Sequence, residues 1–307
     1  MNRSQTVPTE VNKPSPKGPH ATDATRARER LLEGLPVSEQ RIHIGGVSTA
    51  VLTGGEGRPI ILLHGPGGYA AQWFRVIPAL TDTHQVIAPD LPGHGASEVP
   101  DKPMEQGDIL NWLDELIEET CSTAPVLVGH VVGGAIGAQY AIRFDRRLKK
   151  LVLVDSLGLA PFEPKPEFGA AMSAFFADPN PMTHDQFWTR CAYDLDALRS
   201  GLGDRWADLK TYNVDRAKST HRREAAQVLI QQFGIQAIPD AELAKINVPV
   251  SLIWGRNDLA TDVSVAREVS SRFGWPLYVV DDAADDPVIE QPEAFVQALK
   301  QGAVASA

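Results

Sequence analysis

Six short, continuously apolar runs constrain this chain more than any other feature. PIILLHG (59–65), QVIAPD (85–90), PVLVGH (125–130), LVLVDS (151–156), VSLIWG (250–255) and PLYVVD (276–281) are aliphatic or β-branched and close on glycine or a polar residue. A strand with one wet face alternates apolar and polar residues. These runs do not alternate, which suits strands covered on both faces. Helical patterns lie between them, at 107–120, 133–144, 263–273 and 292–299. Buried strands alternating with helices predict an α/β fold, a mainly parallel sheet with helices on both faces and functional groups at the strands' carboxyl ends. RIHIGG (41–46) and STAVLTGG (48–55) read as two further strands, antiparallel and turning through glycine.

One interval breaks the alternation. Residues 160–245 contain no comparable strand, and four stretches there favour helix: 168–179, 184–202, 205–218 and 221–234. An insertion that leaves the sheet at a strand's carboxyl end sits over its functional end. Phe175, Phe176, Phe187, Trp188 and Tyr193 give it much to bury, so it is expected to be a helical cap over an apolar ligand chamber. The expected division is therefore a tail at 1–22, a short helix and linker at 23–38, a core of 39–159 with 246–302, and the cap at 160–245. The tail carries no apolar core of the kind a secretory signal needs, and reads as a solvated arm.

Charge narrows the function. Thirty-nine Asp and Glu against 29 Lys and Arg leave a formal net charge of −10, which argues against a general nucleic-acid binder. No apolar run approaches a bilayer-spanning length, so no membrane insertion is expected. Two cysteines, Cys121 and Cys191, make neither a disulfide framework nor a zinc ligand set, and a reducing, cytoplasmic setting is the expectation. No cofactor and no metal are expected. The expected partner is a small apolar molecule in the capped pocket, with a homodimer the one macromolecular option.

Polar tags follow the strands in a fixed order: His64-Gly65-Pro66-Gly67-Gly68, LPGHGAS at 91–97, GHVVGG at 129–134, WGRND at 254–258 and DDPVIEQPEAF at 285–295. Together they resemble the alpha/beta-hydrolase family, in its capped branch of esterases, carbon–carbon bond hydrolases, epoxide hydrolases and dehalogenases. The resemblance covers about residues 39–300 and implies the corresponding fold. It also implies a nucleophile at a sharp strand-to-helix elbow, G-x-S-x-G, with an acid after a later strand and a histidine base near the end.

The chain departs from that pattern where the chemistry lies. The elbow reads Gly129-His130-Val131-Val132-Gly133, so Val131 stands at the nucleophile position and offers no lone pair. Asp258 matches the acid. The H-x-P-x-x-E-x-P tail reads Asp285-Asp286-Pro287-Val288-Ile289-Glu290-Gln291-Pro292, which puts Asp285 where the base is expected. The resemblance implies an oxyanion donor at the N–H of Val132 and a second just beyond His64-Gly65. Pro66 there has no N–H, leaving Gly67 as the substitute.

Val132, Gly67, His130, Ser156 and Gly65 are accordingly the candidate oxyanion-hole or pocket residues. His130 is expected to pack in the core, and Ser156 to be a pocket polar group or a helix cap. Asp258 and Asp285 are expected to face one small space, where two carboxylates resist joint ionisation. Two readings follow. One is a family scaffold with a degenerate triad, a pseudoenzyme that binds a small apolar ligand without serine-type hydrolysis. The other is a hydrolase or lyase of small esters, lactones or C–C bonds that uses Asp258 and Asp285 as an acid/base or water-activating pair.

Overall fold

The apolar runs pair into a single eight-stranded sheet. A computed structural model describes residues 22–144 and 147–304, so the 1–21 part of the expected tail lies outside the described residues. The strands are β1 (Ser38–Ile44), β2 (Val47–Gly54), β3 (Arg58–Leu63), β4 (His84–Pro89), β5 (Val126–His130), β6 (Lys150–Val154), β7 (Val250–Gly255) and β8 (Leu277–Val280). Their order across the sheet is β1-β2-β4-β3-β5-β6-β7-β8. β1–β2 and β2–β4 pair antiparallel, and every other neighbouring pair is parallel.

Successive side chains of a strand point to opposite faces, and the two cores divide accordingly. Ile60, Leu62, Val86, Val128, Val152 and Ile253 enter one cluster, where Trp73 and Phe295 cover them. Ile61, Leu63, Ile87, Leu127, Leu153 and Leu252 enter the other, under Trp112, Ile136 and Val269. The second layer comes from helices Gln106–Thr120, Val132–Arg143 and Val263–Phe273. Helix Asp23–Leu32 buries Ala24, Ala27 and Leu31 against the first cluster. A 3₁₀ turn, Ala70–Arg75, and a short helix, Ile77–Thr81, were not evident from sequence periodicity because each is too brief to show it.

Between β6 and β7 run helices Pro166–Ala177, Pro181–Cys191, Leu195–Leu202, Asp204–Lys218 and Thr220–Leu229, then a π-helical turn at Ile230–Gly234 and a last short helix at Asp240–Leu243. The stretch expected as one helix over 184–202 is two. Asp194 separates them by capping the second, its carboxylate accepting from the Ala197 N–H at 2.9 Å.

Candidate active site

The carboxyl ends of β3, β4 and β5 and the segment after β8 converge below that run of helices. Between the two layers lies a cavity of about 180 Å³. Gly65, Gly67, His130, Val131 and Asp285 line it from the sheet side, and Phe168, Phe175, Phe187 and Trp188 from the helices.

Val131 holds the sharp turn. Its φ of 51° and ψ of −112° are a rare conformation for a β-branched residue, one that costs on the order of 1–3 kcal/mol. The surroundings enforce it. The Val131 N–H donates to the Val154 carbonyl at 2.9 Å, while the Val131 carbonyl accepts from Gly134 at 3.1 Å and Leu157 at 3.2 Å. Two glycines let the following helix come this close. A Cβ on Gly133 would stand 2.6 Å from the Leu63 carbonyl, and one on Gly134 would stand 2.3 Å from the Ser156 hydroxyl. The turn thus aims one side chain into the cavity, and that side chain is an isopropyl group.

Val132 opens helix Val132–Arg143 and is fully buried, so its side chain faces the core rather than the cavity. Its N–H belongs to the first helical turn, where amides have no intrahelical acceptor. Gly67 lines the cavity in a left-handed conformation, φ 71°, with nothing within 4 Å of where a Cβ would be. Ser156 is fully buried and donates to the Leu157 carbonyl at 2.8 Å. It fills the space beside Gly134 and is not among the cavity-lining residues, which departs from its reading as a pocket group.

Asp258 and Asp285 divide in the same way. Asp285 lines the cavity, and Asp258 lies behind it. The Asp258 Oδ1 accepts from the amides of Ala260 at 2.6 Å and Thr261 at 3.0 Å, whereas its buried Oδ2 has no hydrogen-bond partner among the described residues. Burial, and then the neighbouring charge of Asp285, push the Asp258 carboxyl well above its ordinary range. Burial also pushes Asp285 up to about 7; His130 pulls the other way, and Asp286 and Glu290 add to the rise.

Asp286 belongs to the same group although sequence reasoning passed over it. It lines the cavity, burial raises it to about 7, and its Oδ2 accepts from the Gln72 side-chain amide at 2.5 Å. Glu290 reaches about 7 as well, and Asp155 behind them is raised by burial and by Asp258. The acids just before this tag, Asp281 and Asp282, are exposed, and Asp281 pairs with Arg256. Asp285, at the place where the family pattern calls for an imidazole, therefore has the carboxyls of Asp155, Asp258, Asp286 and Glu290 in its neighbourhood, of which the first three are buried. Among the described residues no His, Cys, Asp and Glu group has the arrangement to hold a metal ion.

His130 is both packed and cavity-lining. Its ring meets Trp73 edge-on, with centroids 6.4 Å apart, and its Nε2 lies 2.7 Å from the Asp285 carbonyl oxygen. A carbonyl only accepts, so Nε2 carries the proton. Burial lowers the pKa of the ring, which leaves the neutral form favoured. His64 ties two loops together: its Nδ1 donates to the Gly65 carbonyl at 2.7 Å and its Nε2 accepts from the Leu91 amide at 3.0 Å. Cys191 lines the cavity, but burial pushes its thiol up and away from thiolate character.

A family model for the alpha/beta hydrolase fold matches residues 58–292. The chain belongs to that family. Within it, the alpha/beta-hydrolase chain is 27% identical over 266 residues to a 2-hydroxy-6-oxo-6-(2'-aminophenyl)hexa-2,4-dienoic acid hydrolase of Metapseudomonas resinovorans, covering 85% of this chain and 89% of that one. It is 26% identical to a pimeloyl-[acyl-carrier protein] methyl ester esterase of Aeromonas hydrophila, over 83% of this chain and 98% of the other. A solved 2-hydroxy-6-oxo-6-phenylhexa-2,4-dienoate hydrolase from a Rhodococcus species superposes with a TM-score of 0.76 at 24% identity, covering 87% of this chain and 99% of that one. Hydrolases are thus its relatives, and its sheet is theirs. No helix among the described residues is long and apolar enough to cross a membrane.

Proposed function

We propose that this alpha/beta-hydrolase-fold protein binds a small, largely apolar molecule beneath its β6–β7 helices, which act as a cap, and that it does so without serine-type hydrolysis. The observation that carries the reading is Val131: the strained elbow is kept in full, while the side chain it presents to the cavity has no nucleophilic atom. The base position supports it. Asp285 is a carboxyl, and His130, which lines the cavity, is anchored through its Nε2 proton to the Asp285 backbone carbonyl and does not stand at the base position. A nucleophile and base within hydrogen-bond reach are what covalent acyl transfer needs, and this pair supplies neither.

Two measurements test the proposal. Intact mass after treatment with a fluorophosphonate is expected to be unchanged, and an adduct on any residue near the elbow would overturn the reading. The neutral dye N-phenyl-1-naphthylamine is expected to gain fluorescence on binding and to lose that gain in Phe175→Asp, which places a charge in the apolar wall. A second reading is favoured by the Asp285–Asp286 pair: carboxyls poised at about 7 can exchange a proton near neutrality, as water activation or a lyase step requires. Product formation from a lactone or ester that disappears in Asp285→Asn, without any covalent adduct, would select it.

A further inference from the structure

The wall opposite the carboxyls is basic, which an apolar chamber does not require. Arg216 on helix Asp204–Lys218, with Arg222 and Arg223 on helix Thr220–Leu229, all line the cavity. Backbone carbonyls orient them: Arg216 Nη1 donates to Gly95 at 3.4 Å, Arg222 Nη1 to Gly93 at 3.2 Å and Arg223 Nη1 to Ala217 at 2.5 Å. Gly93 and Gly95 belong to the loop after β4, whereas Asp285 and Asp286 follow β8, and the sheet order puts β4 and β8 on opposite sides of β5. The cavity is therefore polarised, with arginines at one side, carboxyls at the other, and Phe168, Phe175, Phe176 and Phe187 among its lining.

The arginines are also under-compensated. Arg216 pairs with Asp215 at 2.5 Å, yet its buried Nε has no hydrogen-bond partner among the described residues. Among those residues, Arg222 and Arg223 have no carboxylate within ion-pair distance, in a chain whose net charge is −10. The acids that act on Arg222, Asp90 and Asp215, do so from beyond ion-pair distance and are engaged with Arg28 and Arg216. A partly enclosed guanidinium without a counter-charge is costly, and each keeps several unused N–H donors that suit a planar or tetrahedral oxyanion. Burial, and then the adjacent Arg216, lower the pKa of Arg222, and the more distant Asp90 and Asp215 only partly offset them.

We infer that the ligand is an anionic amphiphile, whose carboxylate or phosphate end is held by Arg216, Arg222 and Arg223 while its apolar body packs against the phenylalanines. The inference rests on the ligand-binding reading above and adds the charge and the orientation of the ligand. The carboxyl side of the cavity disfavours the anion, so only one direction of entry satisfies both walls.

Calorimetric titration of the full chain with 4-phenylbutyrate, 4-phenylbutyl phosphate and 4-phenylbutanol tests it. These probes share an apolar body and differ only in the head. At least one of the two anions is expected to bind about 10-fold or more tightly than the alcohol. Whichever anion binds more tightly identifies the head group. Arg222→Gln is expected to abolish the discrimination between anion and alcohol, and Arg222→Lys to restore part of it. In the wild-type protein, anion affinity is expected to fall as sodium chloride rises from 20 to 300 mM while alcohol affinity does not. This arm needs no variant to fold. Equal binding of alcohol and anions, or discrimination intact in a folded Arg222→Gln, overturns the anion site and leaves apolar binding standing. Absence of binding by all three probes overturns both.

Discussion

At Val131 an unfavourable backbone conformation is kept although the chemistry it ordinarily serves needs an atom that valine lacks. The strain is held by backbone hydrogen bonds, one donated to Val154 and two accepted from Gly134 and Leu157, so replacing one side chain leaves the turn in place. That makes the site open to reconstruction. Val131→Ser alone is expected to give no ester turnover, because the position at which the family pattern has its histidine base is held by Asp285. Val131→Ser with Asp285→His would place a hydroxyl, an imidazole and the Asp258 carboxylate at the three family positions. Hydrolysis of p-nitrophenyl butyrate by the double variant is expected to exceed that of Val131→Ser by about 10²-fold, the usual share of a general base. Equal rates in the two variants would show that Val131 and Asp285 do not occupy those positions. Val131, Asp258 and Asp285 could be picked out in the sequence because each has a fixed place in a motif. Asp286, Gln72 and Arg222 could not, since nothing in a helical or loop sequence tells which side chain turns toward a cavity rather than water.

Elements are pinned by a few buried polar contacts as well as by apolar area. Helix Asp23–Leu32 reads in the sequence as a short amphipathic piece, and its apolar residues indeed face the core. Its anchor is less obvious: Arg28, buried, donates to Asp90 at 2.9 Å and also pairs with Glu39. Asp90 in turn accepts from the amides of Ala70 at 2.6 Å and Ala96 at 2.7 Å, tying together the segments that follow β3 and β4. Burial raises the Asp90 carboxyl, but Arg28, His64 and these amides together hold it below its ordinary value. Arg28→Met would leave that carboxylate enclosed without its cation, and is expected to cost about 3–5 kcal/mol in urea denaturation. Loss of under ~1 kcal/mol would mean that the amides alone suffice. Such a link joins residues 62 positions apart, and no local pattern announces it. The inner strands β3, β5, β6 and β7 are legible for the opposite reason: being covered on both faces, they are apolar at nearly every position.

Across the whole molecule, two sets of buried groups act on stability in opposite directions. Burial lowers His64 to about 4, His94 to about 3 and His184 to about 4, so each folds as the neutral ring. An unfolded chain binds those protons from about pH 6.5 downward, and the folded chain gains stability as pH rises through that interval. Asp285, Asp286 and Glu290 do the reverse. Each is protonated in the fold up to about 7 but ionises in the unfolded chain near 4, so their contribution is complete below about pH 4 and is lost as pH rises toward and through 7. Between these limits the two sets offset one another. Above about pH 6.5 the histidines have nothing further to add, and the carboxyls alone determine the slope. The contribution of one carboxyl is isolated by comparing Asp286→Asn with wild type, because asparagine fills the same space, can still accept from Gln72, and cannot ionise. The melting temperature of the variant minus that of wild type is expected to rise between pH 5 and pH 8 by roughly 5 °C, and to be flat below about pH 4. A difference that stays constant across the whole range would mean that Asp286 is ionised in the folded protein at all these pH values. The cavity wall opposite the arginines would then carry a fixed negative charge rather than a titrating one.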